Sequence, residues 1–143
     1  MPTRQLRRII LVEDDPLDRM LTRRILEEMD IPAELITFSD GREFLDFVAE
    51  GGTIENASVI LLDLKMPRVN GLEVLEQLHA QGRSARVPIV VMSSSSVKRD
   101  VDRAYELGAR AFLTKPITHE EFREAVLGVG LFWCKYNLHP ELA

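Results

Sequence analysis

One cysteine, Cys134, stands in a chain of 143 residues, so neither an intrachain disulfide nor a multi-cysteine metal centre can form. That scarcity fits a reducing compartment, and the aromatic neighbours of Cys134 point to a buried structural thiol rather than a reactive one. Long apolar runs are missing too. None approaches the ~18 residues that suggest a membrane span, and the N-terminus lacks the apolar core of a signal peptide, so a cytoplasmic location is expected. Positive charge is in short supply: 18 Lys and Arg face 23 Asp and Glu, for a formal net charge of −5. No surplus of cations is left for a phosphate backbone, which argues against general nucleic-acid binding. The short basic N-terminus (Arg4, Arg7, Arg8) reads as a solvated edge beside the first strand. Neither GxGxxG nor the P-loop pattern occurs, which disfavours a nucleotide-binding fold.

What the chain does contain is an alternation of short apolar runs with helical periodicities. "RIILV" (Arg8 to Val12) is broken by "EDDP", where Pro16 suits a first helical position with Asp15 as cap. Leu17, Met20, Leu21, Ile25 and Met29 then read as one apolar helical face. "AELITF" (Ala33 to Phe38), "SVILLD" (Ser58 to Asp63), "PIVVMS" (Pro88 to Ser93) and "AFLT" (Ala111 to Thr114) read as further strands. Between them, helices are expected through Phe44, Leu45 and Val48, through Leu72, Leu75 and Leu78, and through Val97, Val101, Ala104 and Leu107, closed by Gly51–Gly52, Gly82 and Gly108 respectively. A last helix from about Thr118 turns Phe122, Ala125, Val126 and Val129 inward. Strands that are apolar throughout predict a parallel sheet covered on both faces. The expected architecture is therefore one doubly wound α/β domain, five strands and five helices, filling residues 1–143.

In such sheets ligands bind beyond the carboxyl ends of the strands. Those ends deliver Glu13, Asp14 and Asp15, then Asp63, then Ser93, then Thr114 and Lys115. Each has an ordinary reading: acidic residues cap helices, Asp63 precedes a turn with Pro67 and Gly71, and Ser93 opens a run of four serines. Their agreement across independent strands is harder to assign to chance. Three neighbouring carboxylates repel unless a cation is bound, and an oxygen-only donor set suits a hard ion such as Mg²⁺ better than zinc. An aspartate can itself be a nucleophile that becomes an aspartyl phosphate, with a metal, a lysine and a hydroxyl holding the transferring group's oxygens. His79, His119 and His139 lie outside these segments and read as surface or core residues.

Four pieces together, "LVEDDP", "LLDLKMPRVNG", "VVMSS" and "AFLTKP", resemble the receiver domain of two-component response regulators, with its flavodoxin-like (βα)5 fold, over about residues 7 to 127. The resemblance implies that Asp63 is the phosphoacceptor and that Glu13 and Asp14 are the acidic pair that binds Mg²⁺ directly or through water. It places Lys65 where a backbone carbonyl joins the metal, Ser93 as the hydroxyl that moves onto the phosphoryl group, and Lys115 as the family's lysine. Phe112 falls where a switch aromatic rotates between two packings. A cis peptide between Lys115 and Pro116 is also implied. A histidine kinase would be the phosphodonor, and with no room for a DNA-binding domain, output would run through contact with a downstream protein.

Two features depart from the commonest pattern. Lys65 puts a cation two residues after the acceptor, where it could alter dephosphorylation by repelling metal or steering a water. The tail "VGLFWCKYNLHPELA" extends residues 128–143 past the usual end of the domain, leaving Phe132, Trp133 and Tyr136 either as core or as an exposed patch. Its "FW…LHP" ending is similar to stand-alone regulators that pair with bacterial phytochromes, some of which dimerise through their last strand and helices. That implies a bacteriophytochrome kinase and a homodimer through the last strand and helices or the tail. Two other readings stand beside the phosphorylation switch. A receiver-like module that is never phosphorylated would have lost an acidic-pair residue, the acceptor or the lysine, and none is lost. An aspartyl-nucleophile phosphatase resembling the haloacid dehalogenases would carry a second Asp at position 65 and a cap domain.

Overall fold

The computed structural model describes residues 7–115 and 118–138. Five strands, β1 (Arg7–Val12), β2 (Ala33–Phe38), β3 (Val59–Leu62), β4 (Ile89–Ser93) and β5 (Ala111–Thr114), alternate with five helices. These are α1 (Pro16–Leu26), α2 (Gly41–Ala49), α3 (Gly71–Ala80), α4 (Lys98–Glu106) and α5 (His119–Leu131). All pairings are parallel, in the order β2-β1-β3-β4-β5. Strand order reverses between β1 and β3, so the loops leaving these two strands diverge and open a crevice at their carboxyl ends.

The strands are apolar at every position because both faces are covered. Alternate residues Ile10, Val12, Ile60, Leu62, Ile89 and Val91 pack with Phe44, Leu45, Val48, Val74, Leu75 and Leu78 of α2 and α3 and with Ala104 of α4. The intervening residues Ile9, Leu11, Val59, Leu61, Val90 and Met92 pack with Ile25 and Leu26 of α1 and Phe122 and Val126 of α5. Cutting one such leucine or isoleucine to alanine costs ~2–5 kcal/mol, against a whole-domain stability of ~5–15 kcal/mol. Gly71 opens α3 where its chain crosses the end of β3: a Cβ there would lie 2.3 Å from the Asp63 carbonyl oxygen and 2.7 Å from Leu64 Cα. Gly108, at φ +103, closes α4 in the left-handed conformation that the sequence required of a helix stop.

Two expectations about inward faces are corrected. In α1, Leu17 and Met20 are 56% and 41% exposed; the buried stripe is Thr22, Ile25 and Leu26, continued by Met29. Counting back three residues from Ile25 reaches Thr22 and four more reaches Asp18, not Leu17, so the inward stripe ends in a carboxylate at the crevice. In α4, Val97 precedes the first helical turn and is 53% exposed, while Ala104 and Leu107 are buried.

Beyond α5 the helix widens into a π-helical turn, Phe132–Tyr136. Asp30 and Lys135 form an ion pair that ties this turn to the loop after α1. Cys134 points inward and is buried, and burial pushes its thiol above the usual range. Trp133 is half-buried with its ring edge-on to Phe132, whereas Phe132, Tyr136 and Leu138 stand in solvent. The tail aromatics are therefore largely a surface feature. Among the described residues, no helix is long and apolar enough to cross a membrane.

Candidate functional site

Three residues that leave the strands are held as firmly as strand residues. The Glu13 N–H donates to Phe38 O (3.0 Å), Asp63 N–H to Val12 O (3.1 Å) and Lys115 N–H to Ser93 O (2.7 Å). Each side chain thus projects from a backbone still locked to the neighbouring strand. Gathering carboxylates at one edge requires that rigidity, because their repulsion would otherwise splay flexible loops.

The result is a compact acidic cluster. Glu13, Asp14 and Asp63 each offer an oxygen, and these atoms all lie within 4.8 Å of one another. Glu13 and Asp63 are buried and Asp14 is half-buried. The third acid of "EDD" stands apart in role: Asp15 accepts from the Leu17 and Asp18 N–H groups (2.8 and 3.3 Å) and caps α1. Arg19 buttresses the loop from behind, donating to the carbonyls of Glu13 (2.8 Å) and Asp14 (3.0 Å).

Lys115 is the cation of the cluster. Its Nζ lies 2.7 Å from Glu13 Oε2, 3.0 Å from Asp18 Oδ2 and 3.6 Å from Asp63 Oδ2. One ammonium cannot balance so many buried acids. Burial, reinforced by the charge of Asp63, pushes the Glu13 carboxyl up to about 7 against the pull of Lys115. Burial likewise raises Asp63, with the Lys115 charge and the Lys65 N–H (3.3 Å from Oδ1) only partly offsetting it. For Lys115 burial works downward, but the Glu13 hydrogen bond and the charges of Glu13 and Asp63 outweigh it and hold the ammonium above its usual range. A divalent cation would displace the shared proton, and an oxygen-only donor set of this spacing fits a hard ion.

The remaining predicted residues are distributed around this centre. Ser93 is fully buried at the end of β4, its Oγ accepting the Ser95 N–H (3.2 Å). Lys65 touches Asp63 through its backbone N–H, and its side chain is exposed. Phe112 is half-buried against the core layer of α2, α3 and α4. His79 contacts Ser84 Oγ at 3.4 Å and His119 is exposed at the start of α5, so neither joins the cluster. His139 and the Lys115–Pro116 peptide bond fall on His139 and Pro116, which lie outside the described residues. Asp18 and Arg19 were missed by sequence reasoning; only the inward stripe of α1, correctly phased, points to the first of them.

The loop between β3 and α3 is fixed from both sides. Asn70 and Glu73 form a reciprocal capping box at the start of α3, and the Gly71 N–H donates to Leu64 O (2.9 Å). Arg68 adopts a left-handed backbone (φ 67) and pairs with Asp40, the cap of α2. Beside the cluster lies an open groove of about 600 Å³, bordered by Asp14, Lys65, Met66, Pro67, Asn70 and Asp100. Of the three clustered acids, half-buried Asp14 is the one that borders it.

Comparison with known proteins agrees with this geometry. Residues 9–127 match the response regulator receiver domain family. Response regulator Rcp1 of Synechocystis is 35% identical over 128 residues, 87% of either chain. The crystal structure of the phosphorylated cyanobacterial phytochrome response regulator RcpA superposes with a TM-score of 0.85 at 28% identity, covering 95% of this chain and 99% of that one. The Mn²⁺-bound form of Rcp1 gives 0.83 at 33% identity, covering 94% and 99%. With five parallel strands, five helices and the acidic crevice in place, the chain belongs to the response regulator receiver domain family of two-component signalling.

Proposed function

We propose that this protein is a receiver whose Asp63 accepts a phosphoryl group from a histidine kinase with the help of Mg²⁺, in the cytoplasm. The observation that carries the reading is the convergence of Glu13, Asp14 and Asp63 within 4.8 Å with the Lys115 ammonium 3.6 Å from Asp63. In the transfer, an Asp63 oxygen attacks phosphorus while the phosphorus–nitrogen bond of a phosphohistidine breaks and the imidazole regains a proton. An acyl phosphate results. Bound Mg²⁺ would neutralise the incoming oxygens, with Glu13, Asp14, Asp63 and the Lys65 carbonyl as its protein ligands. Lys115 supplies a second positive charge, and Ser93, at the adjacent strand end, supplies the hydroxyl for a phosphoryl oxygen. Attack by water on the acyl phosphate returns Asp63 to its resting form.

The new group adds roughly −1.5 to −2 charges by analogy with other phosphorylated side chains. Ser93 and Lys115 drawn toward it, and Phe112 repacking behind them, couple the crevice to the surface of α4, β5 and α5 and so to a downstream protein. The likeness to Rcp1 and to a phytochrome response regulator supports a bacteriophytochrome-type kinase as donor. β5 is a sheet edge, and beside it Ala111, Leu113, Ala125, Val129 and Trp133 line an apolar groove ending at exposed Phe132. This supports a homodimer through the last strand and helices or the tail, with a receiver core of about residues 7–127 and an extension over 128–143. The decisive experiment incubates the protein and Mg²⁺ with autophosphorylated histidine kinases. Label transfers to the wild type and not to Asp63→Asn; undiminished labelling of that variant overturns the assignment.

A further inference from the structure

The ammonium that the reaction needs at Asp63 lies closer to two other carboxylates. Lys115 Nζ is 2.7 Å from Glu13 and 3.0 Å from Asp18, both within hydrogen-bonding reach, but 3.6 Å from Asp63. Glu13 belongs to the acidic cluster, so a divalent cation competes with Lys115 for its carboxylate. Asp18 is different. It sits in the first turn of α1, outside the cluster, at the crevice end of the stripe that continues through Thr22 and Ile25. Packing of that stripe against the core fixes the direction in which the Asp18 carboxylate points. Once metal holds Glu13, Asp18 is the carboxylate that still anchors the lysine away from the acceptor.

We infer that Asp18 is a positioning residue that holds Lys115 in a standby position and thereby opposes its engagement with the phosphoryl group on Asp63. The inference rests on the acceptor reading above. Two negative centres, Asp18 and the phosphoryl group, compete for one ammonium, so the phosphorylated form is stabilised less than it would be if Lys115 were free. Removing the Asp18 charge while keeping its shape shifts that competition toward Asp63. Asp18 is also an acid in the first turn of α1, where it favours the helix dipole. A purely structural role would therefore change melting temperature without changing affinity for a phosphoryl mimic.

The test measures beryllofluoride binding by calorimetry at saturating Mg²⁺ for wild type, Asp18→Asn, Asp18→Glu and Asp63→Asn, with melting temperatures recorded in parallel. Asp18→Asn should bind beryllofluoride about threefold to fivefold more tightly, the strength of one part-exposed ion pair. Asp18→Glu should return toward wild type, and Asp63→Asn should not bind. Unchanged or weaker binding by Asp18→Asn, with the wild type binding normally, overturns the standby role alone. If the wild type itself binds no beryllofluoride, the acceptor reading fails instead.

Discussion

The two ends of this molecule break opposite rules of burial. At the carboxyl ends of the strands, Glu13, Asp63 and Ser93 are charged or polar groups taken out of water. At the tail, Phe132, Tyr136 and Leu138 are large apolar groups left in it. Both placements are costly for an isolated chain. In the crevice part of the cost is offset within the chain, by Lys115 and by the Lys65 N–H. The tail has only a partial internal answer: Trp133 stacks edge-on to Phe132 and Cys134 is buried, but the outer aromatic faces stay open. The crevice is therefore left with negative charge that a divalent cation would balance, whereas the tail is left with apolar surface in water.

The sharpest way to break this contrast is at Lys115. In Lys115→Ala the buried acids lose their cation while the tail is untouched. The rate of Mg²⁺-dependent phosphorylation by acetyl phosphate should fall by about 10²-fold, as when one oxyanion-stabilising donor is removed. Self-association measured by light scattering should not change. A rate within a few-fold of wild type would mean that the lysine is a structural ion-pair partner only.

The converse experiment truncates the tail patch. Phe132→Ala combined with Leu138→Ala should leave phosphorylation rates as they are and the melting temperature within a few degrees, because exposed side chains contribute within about ±0.5 kcal/mol each. The proposed dimer should weaken tenfold or more, about 1.4 kcal/mol, read as a shift in mass with concentration. A large fall in melting temperature would show that these side chains belong to the core after all.

How far each end was legible in the sequence follows the same division. Strand ends translate into sites because a parallel sheet fixes where its carboxyl ends lie, so Glu13, Asp14, Asp63, Ser93 and Lys115 could be placed before any coordinates. Asp15, read as either cap or ligand, is held as a cap by two N–H groups. Helix phase was less secure. Of the expected face Leu17, Met20, Leu21, Ile25 and Met29, the structure buries Ile25 and Met29 and packs Leu21 against the core. It exposes Leu17 and Met20 and turns Thr22 and Leu26 inward instead, which hid the approach of Asp18 to Lys115. Apolar spacing alone could not choose between overlapping stripes on a short amphipathic helix. The π-helical turn was invisible for a similar reason: a widened turn leaves no residue signature, yet it decides that Cys134 faces in and Tyr136 faces out.

The smallest effect concerns protons. Glu13 has a carboxyl pushed up to about 7 from 4.5, so in the metal-free protein the folded state binds that proton more tightly than the unfolded chain does. Metal-free stability should therefore rise as pH falls from about 7 toward 4.5. Mg²⁺ needs the ionised form, so its affinity should be about tenfold weaker at pH 6 than at pH 8. Isothermal titration across that range checks the sign, and an affinity flat between pH 6 and 8 would remove Glu13 from the metal's ligands.

The central claim is that Asp63 carries the phosphoryl group. Borohydride reduction of the freshly phosphorylated protein converts an acyl phosphate into the corresponding alcohol, and peptide mass spectrometry then locates it. The account predicts homoserine at position 63, formed only when Mg²⁺ and donor are both present. Homoserine at position 14, or a reduced glutamate at position 13 with Asp63 intact, would contradict it.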